Sequence, residues 1–147
     1  MRAEELMIND WIVIAEPDRY AGATGQIKSL SYHQESDAAY FFVFIQGKFG
    51  YLLKEVCSDD IRPIPLTPEI LKKNGFRIVF EGELHVCYFQ DIGRFHVEIK
   101  VDKVGIFQKL SMCDGLGNNV TIIECRFVHQ LQHAFILCGI KNQIITV

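Results

Sequence analysis

The sequence predicts a mostly β protein of the α+β class, an SH3-like barrel followed by a short helix and then an antiparallel sheet with one covering helix. Three observations predict it. Short apolar runs alternate with turn-forming residues along most of the chain, as in DWIVIAEP, YFFVFIQGKFG and RFHVEIKVD. Helical spacing is confined to two segments, TPEILKKNG and VHQLQHAFILCG. Prolines cluster in IRPIPLTPEILKKNGF, residues 61–76, and punctuate the chain near its middle.

Taken in order, the first half reads as strand DWIVIA, a loop over 17–25, strand QIKSLSY, the polar turn HQESDA, strand YFFVFI, turn QGKFG, strand YLLKEV and a closing piece DDIRPI. Five short strands with a tight polar turn before the last suggest a small SH3-like barrel over residues 1–66. A linking helix follows at 67–75. Thr67 serves as its N-cap, Pro68 is pre-set for the first helical position and Glu69 suits the positive end of the helix. Leu66 and Leu71 stand at the two positions of a hydrophobic staple, and Asn74-Gly75 tolerates the left-handed conformation that stops a helix.

Residues 76–147 read as four strands, RIVFEGELHVCYFQ, RFHVEIKVD, GIFQKLSMC and NNVTIIECRF, joined by short links into a meander. Phe95, Val97, Ile99 and Val101 alternate with His96, Glu98 and Lys100, which gives one buried and one wet face. The helix over 129–138 covers the buried face through Leu131, Ala134, Phe135 and Cys138, and Gly139 ends it.

Composition narrows the function. With 147 residues and 49% apolar side chains the chain has the material for a core. Its longest apolar runs fall far short of the ~18–20 residues that cross a bilayer. The acidic start MRAEELMINDW lacks the pattern of a signal peptide, so the expected location is cytoplasmic, with no membrane partner. Five cysteines, Cys57, Cys87, Cys113, Cys125 and Cys138, are odd in number and form no CxxC pair, which argues against a disulfide framework. Net charge is −3, with six Lys/Arg against ten Asp/Glu in residues 1–66 and nine against eight in 67–147. Neither half is a basic surface, so nucleic acid is not the favoured partner, although a local patch is compatible with this balance.

Candidate sites are few. His129 and His133 lie at i and i+4 and can share a metal, as in HExxH zinc proteases. The residue after the first histidine is Gln130, and a neutral amide cannot take the proton of a metal-bound water, so that route to hydrolysis is closed. A docking helix is the preferred reading, with His129 and His133 kept as weak metal candidates and no cofactor expected. The loop DGLGNN reads as a hairpin turn and Ser58-Asp59-Asp60 as a solvated turn. Trp11, Tyr20, Tyr32, Tyr40, Phe49 and Tyr51 crowd the barrel, and a surplus of aromatics there suggests a ligand groove, with Trp11, Tyr20 and Tyr51 as its candidate residues.

The segments PIPLTPEILKKNGF and VHQLQHAFILCGI resemble signatures of a family of small proteins of Bacteroides-type bacteria and their phages or prophages, which carry a PIPLTPEILEKNGF-like segment and a VHQLQ-type terminal helix. The opening Asn9-Asp10-Trp11 is similar to the family's GDW-like start, whereas residues 76–127 depart from it. That family has no assigned activity, so the resemblance implies a mobile-element setting and no catalytic residue. The expected function is therefore a non-enzymatic binding module with a protein partner, acting through the barrel groove, through sheet edges or through the terminal strand NQIITV. A nucleic-acid-binding accessory protein and a structural phage component are the alternatives; oligomeric state is left open.

Overall fold

The structure, a computed structural model, describes residues 6–15, 20–33, 38–47, 50–104, 108–140 and 145–147. Among these residues the chain is mostly β, with two five-stranded antiparallel sheets and two α-helices, and it divides into two compact units at 64/65.

The first unit contains β1 (Trp11–Ile14), β2 (Thr24–His33), β3 (Ala38–Gly47), β4 (Gly50–Cys57), a 3₁₀ turn at Ser58–Asp60 and β5 (Ile61–Pro63). Their order is β4-β3-β2-β1-β5, and the register of β2 against β3 slips between Ile27 and Ser29. Among the described residues no pairing joins β4 to β5, so the closed barrel expected from the sequence is not formed by these strands. Alternation decides the core: Ile12, Ile14, Ile27, Phe41, Val43, Ile45, Val56 and Ile61 are buried together. Ser58-Asp59-Asp60 is the turn expected, and the Arg62 guanidinium closes it by donating to the Asp59 carbonyl at 2.7 Å.

Gly25 shows how tightly that sheet is packed. It lies opposite Ile12 on one side and Ile45 on the other. A Cβ there would stand 2.5 Å from Val43 Cγ1 and 3.0 Å from the Phe44 carbonyl oxygen. Because backbone cannot give way cheaply, Gly25→Ala is expected to cost ~1–3 kcal/mol. Thermal melting checks this, and an unchanged midpoint would show that the strands separate without strain.

The second unit contains α1 (Pro68–Lys73), β6 (Arg77–Glu81), β7 (His85–Ile92), β8 (Phe95–Asp102), β9 (Gln108–Asp114), β10 (Asn119–Ile123) and α2 (Val128–Leu137). The sheet is a simple meander, β10-β9-β8-β7-β6. It has five strands where the sequence suggested four, because the first long run folds back on itself: the Gly82 N–H donates to the His85 carbonyl at 2.9 Å. The helix over 67–75 clusters with this unit. It begins as its composition dictates, with the Thr67 hydroxyl accepting from the Ile70 N–H at 3.3 Å, and it ends before Gly75 at φ +89°. Leu66 and Leu71, the staple pair, are both buried.

Val97, Ile99 and Val101 of β8 are buried, as are Leu110 and Met112 of β9. On α2 the buried residues are Val128, His129, Leu131, Ala134 and Phe135, whereas Cys138 is half-buried and Ile136 and Leu137 face solvent. Leu131, Ala134 and Phe135 are thus buried as the sequence suggested, and the stripe begins a turn earlier, at Val128, instead of closing on a buried Cys138. The Asn74 side chain ties down the end of the chain: its Nδ2 donates to the Thr146 carbonyl and its Oδ1 accepts from the Thr146 N–H, each at 2.8 Å. None of the described helices is long and apolar enough to cross a membrane.

Candidate functional site

Two segments that stand out in the sequence meet in space. Pro65 forms an antiparallel bridge with Phe127, and the Leu66 N–H donates to the Arg126 carbonyl at 2.8 Å. The proline-rich approach to α1 and the start of α2 therefore run side by side. Between them and the sheet lies a groove of about 610 Å³. Pro65, Leu66, Pro68 and Phe127 form one wall; Val86, Tyr88 and Val101 of paired strands β7 and β8 form the floor; Asp102, Lys103 and Arg126 supply charge at the rim. Burial raises the pKa of the Tyr88 phenol, with the nearby carboxylates of Glu69 and Glu81 adding to it, so Tyr88 serves the floor as a neutral group.

The groove borders the open edge of the sheet. β6 is the last strand, and every residue of it, Arg77 to Glu81, is exposed. Ile78 pairs with Tyr88 and Glu81 with Val86, one strand away from the groove floor. Leu84 and Val104, each 78% exposed, continue the apolar surface around the end of the hairpin. Edge strands with exposed apolar side chains present unpaired backbone groups and are normally blunted. Here the strand pairing of β6 carries a register slip between Ile78 and Phe80, and Arg77 and Glu81 put charge at its two ends, with Ile78, Val79 and Phe80 exposed between them.

The residues singled out in the sequence fall elsewhere. Trp11 and Tyr51 come to one face of the first sheet. Trp11 pairs with Gln26, Gln26 with Phe44, and Tyr51 stacks on Phe44 with centroids 4.8 Å apart. Lys28 Nζ stands 5.8 Å over that ring. Tyr20 is not with them: it packs against the buried cluster, with Lys54 Nζ 4.9 Å over its ring. Tyr40 is half-buried, and Phe49 and the side chain of Tyr32 lie outside the described residues. The segment NQIITV is described only from Ile145, which is buried and not in a strand.

His129 and His133 lie edge to face, 5.6 Å between ring centroids, and the buried His129 stacks on Phe127 at 5.7 Å. Among the described residues no group of three or more His, Cys, Asp or Glu is placed to hold a metal ion. Gln130 has a structural task at the position where a metalloprotease carries its glutamate. Its Oε1 accepts from the N–H groups of Arg126 at 2.7 Å and Phe127 at 3.1 Å, which satisfies two donors at the start of α2.

The DGLGNN loop is the β9–β10 hairpin turn, organised by Asp114. The Asn118 side chain donates to its Oδ2 at 2.9 Å, and the N–H groups of Asn118 and Leu116 donate to Oδ1 at 2.9 and 3.0 Å. These bonds hold the carboxyl below its ordinary pKa, the Asn118 side chain contributing most. A depressed folded-state pKa gives stability that is present above the unfolded value of about 3.9 and lost as pH falls through the folded one. Wild type is therefore expected to lose melting temperature below about pH 4 more steeply than Asp114→Asn does. Parallel acid-side curves would show that the turn does not depend on the charge.

Comparison with known proteins gives no match to any family model, curated protein or solved structure.

Proposed function

We propose that this protein is a non-enzymatic binding module whose second unit takes an extended apolar segment of a partner protein. The observation that carries this reading is the apolar groove lying beside an exposed edge strand. Such an edge offers main-chain hydrogen bonds to an added strand, while a neighbouring groove accepts alternate side chains; affinity comes from the first and selectivity from the second. We read the first unit as SH3-like. Its strand order and the 3₁₀ turn before the last strand support this. The cytoplasmic, mobile-element setting belongs to the same proposal, and the five free cysteines are in keeping with a reducing compartment.

A second reading, a nucleic-acid-binding accessory protein, is favoured by one observation: the stacked Phe44 and Tyr51 with Lys28 beside them offer a surface on which unpaired bases can stack. One experiment separates the two. Tagged wild type, Val104→Glu and Tyr51→Ala are used to capture partners from host lysate, with and without nuclease. The binding-module reading expects a nuclease-resistant protein that Tyr51→Ala keeps and Val104→Glu loses. Capture that disappears with nuclease and with Tyr51→Ala would replace it by the second reading, and equal capture by all three proteins would remove both surfaces.

A further inference from the structure

The outer face of the second sheet carries a row that linear spacing conceals. Asp91 pairs with His96 across β7 and β8, His96 with Cys113 across β8 and β9, and Cys113 with Asn119 across β9 and β10. Directly opposed residues of an antiparallel pair have Cβ atoms ~4.5–5.5 Å apart, so these side chains are neighbours. The His96 Nδ1 is bonded to Asp91 Oδ1 at 2.5 Å. With Nδ1 engaged by the carboxylate, Nε2 of the neutral ring is left as the acceptor. Phe89 stacks on the same imidazole, with centroids 6.1 Å apart, and holds its plane.

His96 and Cys113 also line one shallow depression of about 390 Å³ with Phe89, Glu98, Ser111 and Thr121. The Cys113 thiol is half-buried and donates at 3.2 Å to the Asp114 carbonyl, from which a rotation about its own χ1 releases it. It differs in this from Cys125, whose thiol is fully buried and whose pKa burial pushes up to about 12.

We propose that Cys113 is a nucleophilic thiol served by His96, with Asp91 as positioning residue, and that it reacts with small polar disulfides in a stoichiometric exchange that modifies the protein. Acyl transfer would need N–H donors for an oxyanion. The depression is walled by side chains of paired strands, whose N–H groups belong to the ladder or to the neighbouring edge. Thiol–disulfide exchange needs only an accessible thiol, a base and room for the disulfide. In the step, the thiol proton passes to His96 Nε2 while Cys113 Sγ attacks one sulfur of the disulfide. The S–S bond breaks, the departing thiolate takes the proton from the imidazolium, and a mixed disulfide on Cys113 and one free thiol result. Cys113 is oxidised and one half of the disulfide is reduced. Ser111, Asn119 and Thr121 supply hydroxyl and amide groups for a peptide-like disulfide, and Glu98, two residues along β8 on the same face as His96, adds negative charge to the depression.

The full chain is incubated with oxidised glutathione at neutral pH and each cysteine is followed by peptide mass spectrometry. Cys113 is expected to form its mixed disulfide about tenfold or more faster than the other half-buried thiols, Cys57 and Cys138. His96→Gln is expected to bring Cys113 down to their rate without changing the melting temperature, since the His96 side chain is 56% exposed. Asp91→Asn should slow the reaction and Asp91→Glu restore it, a rescue that a merely structural role would not produce. Equal rates at the three cysteines, or a Cys113 rate indifferent to His96→Gln, would overturn the proposal.

Discussion

Phe135→Ala is expected to lower the melting transition of residues 65–147 by well over ten degrees. Phe135 is among the largest fully buried side chains, at 1% exposure, on α2 of the second unit. Truncating a buried phenylalanine costs ~3–5 kcal/mol, because transfer energy is lost and the cavity collapses only in part. A small domain has ~5–15 kcal/mol in total, and each kcal/mol moves its midpoint by about 4–8 °C. Leu137→Ala is the matched control: Leu137 sits two residues further on and is 80% exposed, so its truncation should stay within about 0.5 kcal/mol. Hydrogen exchange should place the loss in 65–147, the compact unit that contains α2. Equal shifts for the two variants would mean that α2 does not seal this core.

What could be read from the sequence was local chemistry. Ile12 and Ile14 alternate with Trp11 and Val13, and Val97, Ile99 and Val101 with His96, Glu98 and Lys100; period two alone assigns them to opposite faces, as found. Thr67, Pro68 and Gly75 mark the ends of α1 because caps and left-handed stops depend on single residues. The hairpin within RIVFEGELHVCYFQ was hidden, since its turn is made by Glu83 and Leu84 after Gly82, without the Asn, Asp or Pro that usually announces one. Gln130 was legible only as a missing glutamate. Its capping role depends on reaching back to Arg126 and Phe127, and no serine or threonine stands at the N-cap to signal a capping box. The groove and the Asp91–His96–Cys113 row were out of reach for a different reason. Both are products of register between segments distant in the chain, and one residue of slip would send His96 and Cys113 to opposite faces.

The groove makes the second large prediction, which can be tested with the natural partner still unidentified. Peptides selected on the wild-type protein from a random display library should be extended, with apolar residues at alternate positions, because only every second side chain of an added strand faces one side of a sheet. Their affinity should fall about thirtyfold or more in Val86→Glu, which places a carboxylate in the apolar floor. That loss corresponds to roughly 2 kcal/mol, the range of an interface hot spot. Val104→Glu, at the rim and 78% exposed, should lower it about tenfold through less complete desolvation. Leu116→Glu on the β9–β10 turn is as exposed, at 79%, and lies outside the groove, so it should bind as wild type does. Melting curves separate lost binding from lost folding, since Val104 and Leu116 are exposed enough that neither substitution should move the midpoint by more than a few degrees. Peptides that bind all three variants alike would place recognition elsewhere. A loss confined to Val86→Glu and Val104→Glu would mean that the meeting of the proline-rich segment with the start of α2 builds the binding surface.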